Sequence, residues 1–178
     1  MKKTLLFLLL IIGITSYSQE KATDVFSAKL GLIGAWVGYE KALSPDFTIN
    51  GEIGYEGGFF YSSWVSDRVN YVFTTTFSLE GRYYYNFNRR IEKGKNTMNN
   101  AANFLAVETD FTPGWATSSS VDNIYVLRTF TVSSKYGFRR NLSNRFNFEL
   151  ATGPGYQWAE GGSEGVILAL DVRFGFVF

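Results

Sequence analysis

Residues 166–178 read Val166-Ile-Leu-Ala-Leu-Asp-Val-Arg-Phe-Gly-Phe-Val-Phe178. Val166, Leu168, Leu170, Val172, Phe174, Phe176 and Phe178 fall on one face, while Ala169, Asp171, Arg173 and Gly175 fall on the other. A period of two is the signature of a β-strand, because successive side chains leave a pleated backbone on opposite sides. The rhythm recurs upstream. Residues 71–87 set Tyr71, Phe73, Phe77, Leu79, Tyr83, Tyr85 and Phe87 against Thr74, Thr76, Ser78, Glu80, Arg82 and Asn86. Residues 47–59 and 145–158 repeat it, and 103–112 and 123–138 do so more weakly.

Residues 24–43 change phase. Phe26, Ala28, Leu30 and Leu32 share one parity; Ala35, Val37, Tyr39 and Leu43 share the other. A one-residue shift exchanges the faces of a strand, so the chain turns or bulges at Gly31-Leu32-Ile33-Gly34. A turn makes eight strands, expected near 24–32, 34–43, 46–60, 71–87, 102–112, 123–138, 144–158 and 166–178. A bulge would leave seven. Short turns at Ser44-Pro45 and 139–144 alternate with loops at 61–70, 113–122 and 159–165, and no helix of useful length is predicted.

The composition narrows the chemistry. The chain has 178 residues, 18% of them aromatic, with 18 Gly, no Cys and no His. Absent thiols and imidazoles exclude disulfide scaffolds, thiolate metal sites and Ser-His-Asp catalysis. Carboxylate pairs could still do acid–base work, but Glu52 and Glu56, two pleats apart on one face, read better as charges paired with Arg82, Arg173, Lys135 or Lys29, so no catalytic residue, metal ligand or cofactor is expected and the protein is read as non-enzymatic. A net charge of +1 gives no field to recruit nucleic acid. Met1-Lys2-Lys3, the apolar run Leu5 to Ile14 and the small residues Ser16 and Ser18 form a signal-peptide pattern cleaved before Gln19. Residues 1–18 are the predicted signal peptide and 19–178 one β domain.

Sidedness follows from size. An eight-stranded barrel has an interior just wide enough for its own side chains. The large aromatic face does not fit there, whereas Gly, Ser, Thr and paired ions do. The expected fold is thus all-β, an eight-stranded antiparallel transmembrane β-barrel with its aromatic face in lipid. The expected lumen network is Glu40, Glu52, Glu56, Glu80, Arg82, Glu108, Lys135, Glu149, Asp171 and Arg173. Its acids exceed its bases by three once Lys29 is counted among the bases, so some acids must be neutral, solvated or paired with turn arginines. Trp36, Trp64, Trp115 and Trp158 are expected at the outer rim, with Tyr39, Phe47, Tyr85, Phe87, Phe138, Phe146 and Phe178 as the opposite girdle.

The signal peptide, the eight-strand rhythm, the turn Tyr39-Glu40-Lys41-Ala42-Leu43-Ser44-Pro45-Asp46-Phe47 and the terminal aromatic strand resemble the small outer-membrane β-barrel proteins of the OmpA/OmpX type. The resemblance implies a location in the outer membrane of a Gram-negative bacterium. It also implies that Phe174, Phe176 and Phe178 are read by the outer-membrane barrel-assembly machinery. No periplasmic peptidoglycan-binding domain is expected after the barrel. One segment is unusual for a periplasmic turn. Residues 88–100 carry Arg89, Arg90, Lys93 and Lys95 against Glu92, which suits either a solvated turn or contact with anionic headgroups, peptidoglycan or a periplasmic partner. The functional expectation is a structural or envelope-interaction role; a minimal pore or carrier for a small solute or hydrophobic ligand is the alternative, and an adhesin is weakened by short outer loops.

Overall fold

The computed structural model describes residues 22–63 and 66–178. The expected signal peptide and Trp64 lie outside the described residues. Among the described residues nine strands form in chain order: β1 (Val25–Gly31), β2 (Gly34–Ser44), β3 (Phe47–Ser62), β4 (Ser66–Tyr83), β5 (Asn103–Thr112), β6 (Ser118–Ser119), β7 (Thr129–Asn141), β8 (Phe146–Ala159) and β9 (Glu164–Val177). All pair antiparallel. Eight of them close into a ring, because β1 pairs with β2 on one side and with β9 on the other, from Ser27↔Val177 to Gly31↔Arg173. Closure removes the free edges that an open sheet would present. The short β6 lies beside β4, with Ser118 opposite Phe73 and Ser119 opposite Val72.

The phase change at Gly31–Gly34 is a hairpin. Gly31 pairs with Gly34 across the two-residue turn Leu32-Ile33, so the ring contains eight strands and not seven. Alternation then holds around the ring. In β7, Thr131, Ser133, Lys135 and Arg139 are buried while Phe130, Ser134 and Tyr136 are exposed. Exposed large apolar residues cover the outer face, among them Leu79, Val107, Leu168 and Leu170.

Three boundaries differ from expectation. The predicted 61–70 loop is mostly strand, since β3 and β4 continue pairing from Gly57↔Phe73 up to Ser62↔Ser66 and project past their neighbours. The strand expected from residue 123 begins at Thr129, because residues 123–128 pair with no strand and the connection from β5 spans 113–128. The strand expected to run to residue 87 stops at Tyr83, and α1 (Phe87–Glu92) with a 3-10 turn at Met98–Asn100 follows.

That last difference closes one end of the ring. Phe87 leaves the strand alternation and turns inward beside Tyr84, which keeps the inward parity of Glu80 and Arg82; both are fully buried, with Ala22, Ala102, Phe104, Ala106 and Ala151 around them. Tyr84 packs 4.9 Å from Phe87 and 5.6 Å from Phe104, ring centre to ring centre. Phe87 therefore does not belong to the exposed girdle assigned to it. Burying its ring away from water contributes on the order of 2 kcal/mol, which outweighs continuing one more pair of a strand that has lost its partner. Asn99 and Asn100 adopt left-handed backbone, φ 53° and 60°, a conformation that short polar side chains tolerate. The Asn100 amide then ties the plug to the N-terminal segment: Thr23 N donates to its Oδ1 at 2.8 Å and its Nδ2 donates to Thr23 O at 2.9 Å.

Candidate functional site: an ion network inside the ring

Eight of the ten expected interior charges, Glu40, Glu52, Glu80, Arg82, Glu108, Lys135, Glu149 and Arg173, are buried, and Glu56 and Asp171 are half-buried. Period-two alternation places them there, and cross-strand register brings them into contact. Arg82 on β4 reaches across the interior to Glu149 on β8 with two parallel bonds of 2.9 Å, and its Nε donates to Glu80 at 2.7 Å. Bidentate pairing of this kind combines charge with planar geometry. Its guanidinium also lies 4.7 Å from the centre of the Phe104 ring, the roof of the apolar plug.

Arg139 completes this lower layer. It lies 2.8 Å from both Glu40 Oε2 and Glu149 Oε2. Glu40 accepts further bonds from Tyr84 OH (2.6 Å), Thr48 Oγ1 (2.8 Å) and Asn100 Nδ2 (3.0 Å), and Arg139 donates to Asn99 O at 3.1 Å, so both ions tie the plug to the network. Arg139 falls in the predicted 139–144 turn, whereas β7 extends to Asn141. The alternation Lys135, Gly137, Arg139 is the signal in the sequence that points to it. Pairing with a turn arginine is one of the three outlets expected for the excess of acids, and Arg139 supplies it.

Higher in the ring, Lys29 donates to Glu52 at 2.6 Å, and Arg173 bridges Glu52 (2.7 Å) and Asp171 (2.8 Å). Lys135 lies 2.5 Å from both Glu108 and Asp171, with Glu80 at 3.7 Å. Glu80 and Glu108 sit directly opposite each other in register, so Lys135 relieves a like-charge pair. Above this level no base pairs with the interior acids among the described residues. Glu56 and Asp110 have no ion-pair partner among the described residues; Trp36 Nε1 donates to Glu56 at 3.0 Å and Ser78 Oγ to Asp110 at 2.6 Å. Asp110 shares the inward parity of Glu108 but is not among the expected lumen charges.

Trp36 corrects the rim assignment. It is 5% exposed and lies inside the ring, under the Arg173 guanidinium at 4.3 Å. Its parity is that of Glu40, not of Val37 and Tyr39, so alternation overrides the preference of tryptophan for an interface. Gly54 makes this possible: a Cβ there would overlap the indole. Trp115 and Trp158 are outward and exposed, Trp158 packing on Tyr156 and Phe130. Tyr39, Phe47, Tyr85, Phe146 and Phe178 are exposed, and Phe138 is half-buried. Phe174 and Phe178 are exposed, and Phe176 packs between Phe146 and Phe178. In the basic segment Arg89, Lys93 and Lys95 are exposed with no ion-pair partner among the described residues, while Arg90 bonds to Asn96 O.

At the plugged end, Asp24 precedes β1 and accepts bonds from Lys41 Nζ (2.6 Å), Tyr39 OH (2.7 Å) and Ala42 N (2.9 Å). The Lys41 bond, then those from Tyr39 and the backbone, lower its pKa from 3.8 to about 2. A carboxylate with a depressed folded pKa contributes stability above its unfolded pKa and loses it as pH falls toward the folded value. The urea midpoint should therefore drop between about pH 5 and about pH 2 more steeply in the wild type than in Asp24→Asn. The contact is solvent-exposed, so the difference is small; identical pH profiles would mean the Asp24 contacts contribute nothing.

No protein-family model matches the chain, and no curated protein or solved structure does either. Its functional reading rests on its own geometry.

Proposed function

We propose that this chain is an integral outer-membrane β-barrel of eight strands, with its aromatic and aliphatic face in lipid, its lumen filled by paired ions, and a structural or envelope-interaction role. One observation carries the reading: side chains face opposite to the habit of a soluble barrel. Leu79, Val107, Leu168 and Leu170 are more than half exposed, while Arg82, Glu80, Glu149 and Arg139 are fully buried. A water-soluble domain rarely exposes so continuous an apolar surface. In hydrocarbon the same surface is solvated, and a closed ring leaves no strand edge unpaired around its full-height portion.

The plug supports a non-conducting role over a pore. Tyr84, Phe87 and Phe104 fill one end, and the Arg82–Glu149–Arg139–Glu40 layer fills the section above it. In planar lipid bilayers the purified protein should show no stable channel conductance. A steady ohmic current from single insertions would overturn the plugged reading and favour the pore.

The partners that fit this role are outer-membrane lipid, the barrel-assembly machinery reading the strand of Phe174, Phe176 and Phe178, and anionic headgroups or peptidoglycan at Arg89, Lys93 and Lys95. With the signal peptide exporting the N-terminus, the plugged end faces the periplasm. The native chain has no cysteine, so single Cys probes report without background. On intact cells an impermeant thiol reagent should label Ser63→Cys and Ser163→Cys and spare Lys95→Cys. Labelling at position 95 with 63 protected would reverse the orientation.

A further inference from the structure

The wall of the ring is not of even height. The β1–β9 ladder ends at Gly31↔Arg173 and the β2–β3 ladder at Gly34↔Glu56, yet β9 continues up to Glu164 and β3 to Ser62. Above the Leu32-Ile33 turn the edges of β9 and β3 thus face each other with two strands missing between them. The turn itself is apolar and exposed, as are Leu168 and Leu170 on the β9 lip. Turns in water favour Gly, Asn, Asp, Ser and Pro; Leu-Ile suits a turn lying within hydrocarbon. A cavity of about 300 Å³ runs through the gap, lined outside by Leu32, Leu168 and Leu170 and inside by Trp36, Glu56 and Arg173.

The chemistry of the two halves differs. The lips are aliphatic. The inner wall holds Glu56, a carboxylate with no cation among the described residues, and the buried Arg173 Nε, a donor without a hydrogen-bond partner. Arg173 has its charge matched by Glu52 and Asp171, so its Nε seeks a neutral acceptor and not a second anion. Asp110, also without a cation, adds negative potential at the same end of the lumen. Other ions in the network are paired, so the unmet demand is for one positive charge beside one hydrogen-bond acceptor.

We propose that this gap is a side window admitting a membrane amphiphile, its amine-bearing head seated on Glu56 and its hydrocarbon tail left between the Leu32 and Leu168 lips. The proposal rests on the membrane-spanning reading above. The cavity suits a small head and the first few carbons of a chain, roughly ten heavy atoms at about 30 Å³ each. The plug bars entry from the lower end, and the exposed aliphatic lips at Leu32, Leu168 and Leu170 receive the tail from the side.

The test uses Trp36 as reporter. The triple variant Trp64→Phe, Trp115→Phe, Trp158→Phe keeps Trp36 as the sole tryptophan of the chain. Refolded into phosphatidylcholine vesicles, it is titrated with dodecylamine, dodecanol and dodecanoate, each brominated near the head so that contact quenches the indole. The amine should quench saturably, at about tenfold lower concentration than the alcohol. Glu56→Gln should erase that preference, and Glu160→Gln, on the exposed β8–β9 turn, should preserve it. Equal or non-saturating quenching by amine and alcohol would overturn the window site, and tightest binding of the carboxylate would overturn its amine specificity. Folded-band migration and protease protection are scored in the same vesicles. Failure to insert would bring down the membrane reading and the window together; insertion without amine preference would bring down the window alone.

Discussion

Arg82→Met is expected to lower the unfolding free energy by about 3–5 kcal/mol, the usual cost of stranding a buried charge. Arg82 is 1% exposed and is the hub of the lower interior layer, holding Glu149 with two bonds and Glu80 with a third. Methionine replaces its volume but none of its donors. Glu80 and Glu149 would then be left to Lys135 at 3.7 Å, Lys29 at 3.6 Å and Arg139. The deficit belongs to the broken pair and not to the absence of a favourable bond, so it is reversible in a specific way. Adding Glu149→Met to Arg82→Met removes a carboxylate and should recover a substantial part of the loss, because an apolar pair of similar volume replaces a buried ion pair at little net cost. Arg139 limits the recovery, since it loses its Glu149 contact and keeps only Glu40. Urea midpoints of refolded protein measure both variants. A loss under about 1 kcal/mol for Arg82→Met would mean water reaches this layer and the interior is not plugged.

The second large effect is on the outer face. Leu79→Arg should cost about 2–4 kcal/mol in vesicles, the range for a cation near the bilayer midplane on a lipid-facing strand position. Leu79 lies in the stretch of β4 that is paired with both β3 and β5, is 53% exposed, and has Gly51 and Thr109 as its cross-strand neighbours. No carboxylate is aligned beside it to take up the new charge. Ser63→Arg, at the tip of the β3–β4 hairpin, should be tolerated. In aqueous detergent, where headgroups and water approach the belt more closely, the Leu79→Arg penalty should shrink. Equal tolerance at positions 79 and 63 in vesicles would mean that Leu79 does not face hydrocarbon.

Alternation makes most of this arrangement legible in the sequence. Glu80, Arg82, Lys135, Glu149 and Arg173 can be assigned to one face because period-two spacing is a local property of the chain. The hairpin at Leu32-Ile33 is signalled by the phase change alone. What escapes a reading of the sequence depends on where pairing stops. Phe87 continues the aromatic rhythm of β4, and nothing in its spacing says that β4 loses its neighbour at Tyr83↔Leu105, whereas Tyr84 already shares the inward parity of Glu80 and Arg82. Arg139 is hidden because the expected strand stops three residues short of the end of β7, although its parity with Lys135 is visible. Trp36 looks like a rim residue when residue type is weighed above parity. Its seat depends on Gly54, a residue of another strand, and such pairings are set by register. The uneven wall is likewise a property of ladder ends, and no single strand encodes it.

In the barrel proposed above, the apolar face of the closed ring meets lipid and the charged face meets only protein. Nitroxide labels on single cysteines at Thr76, Phe77, Ser78, Leu79, Glu80 and Gly81 test this most directly, because the native chain contributes no competing thiol. In vesicles, collision with oxygen, which concentrates in hydrocarbon, should be high at 77, 79 and 81 and low at 76, 78 and 80, with a water-soluble nickel chelate reaching neither set. Odd positions open to the nickel chelate, or an oxygen profile without a period of two, would contradict it.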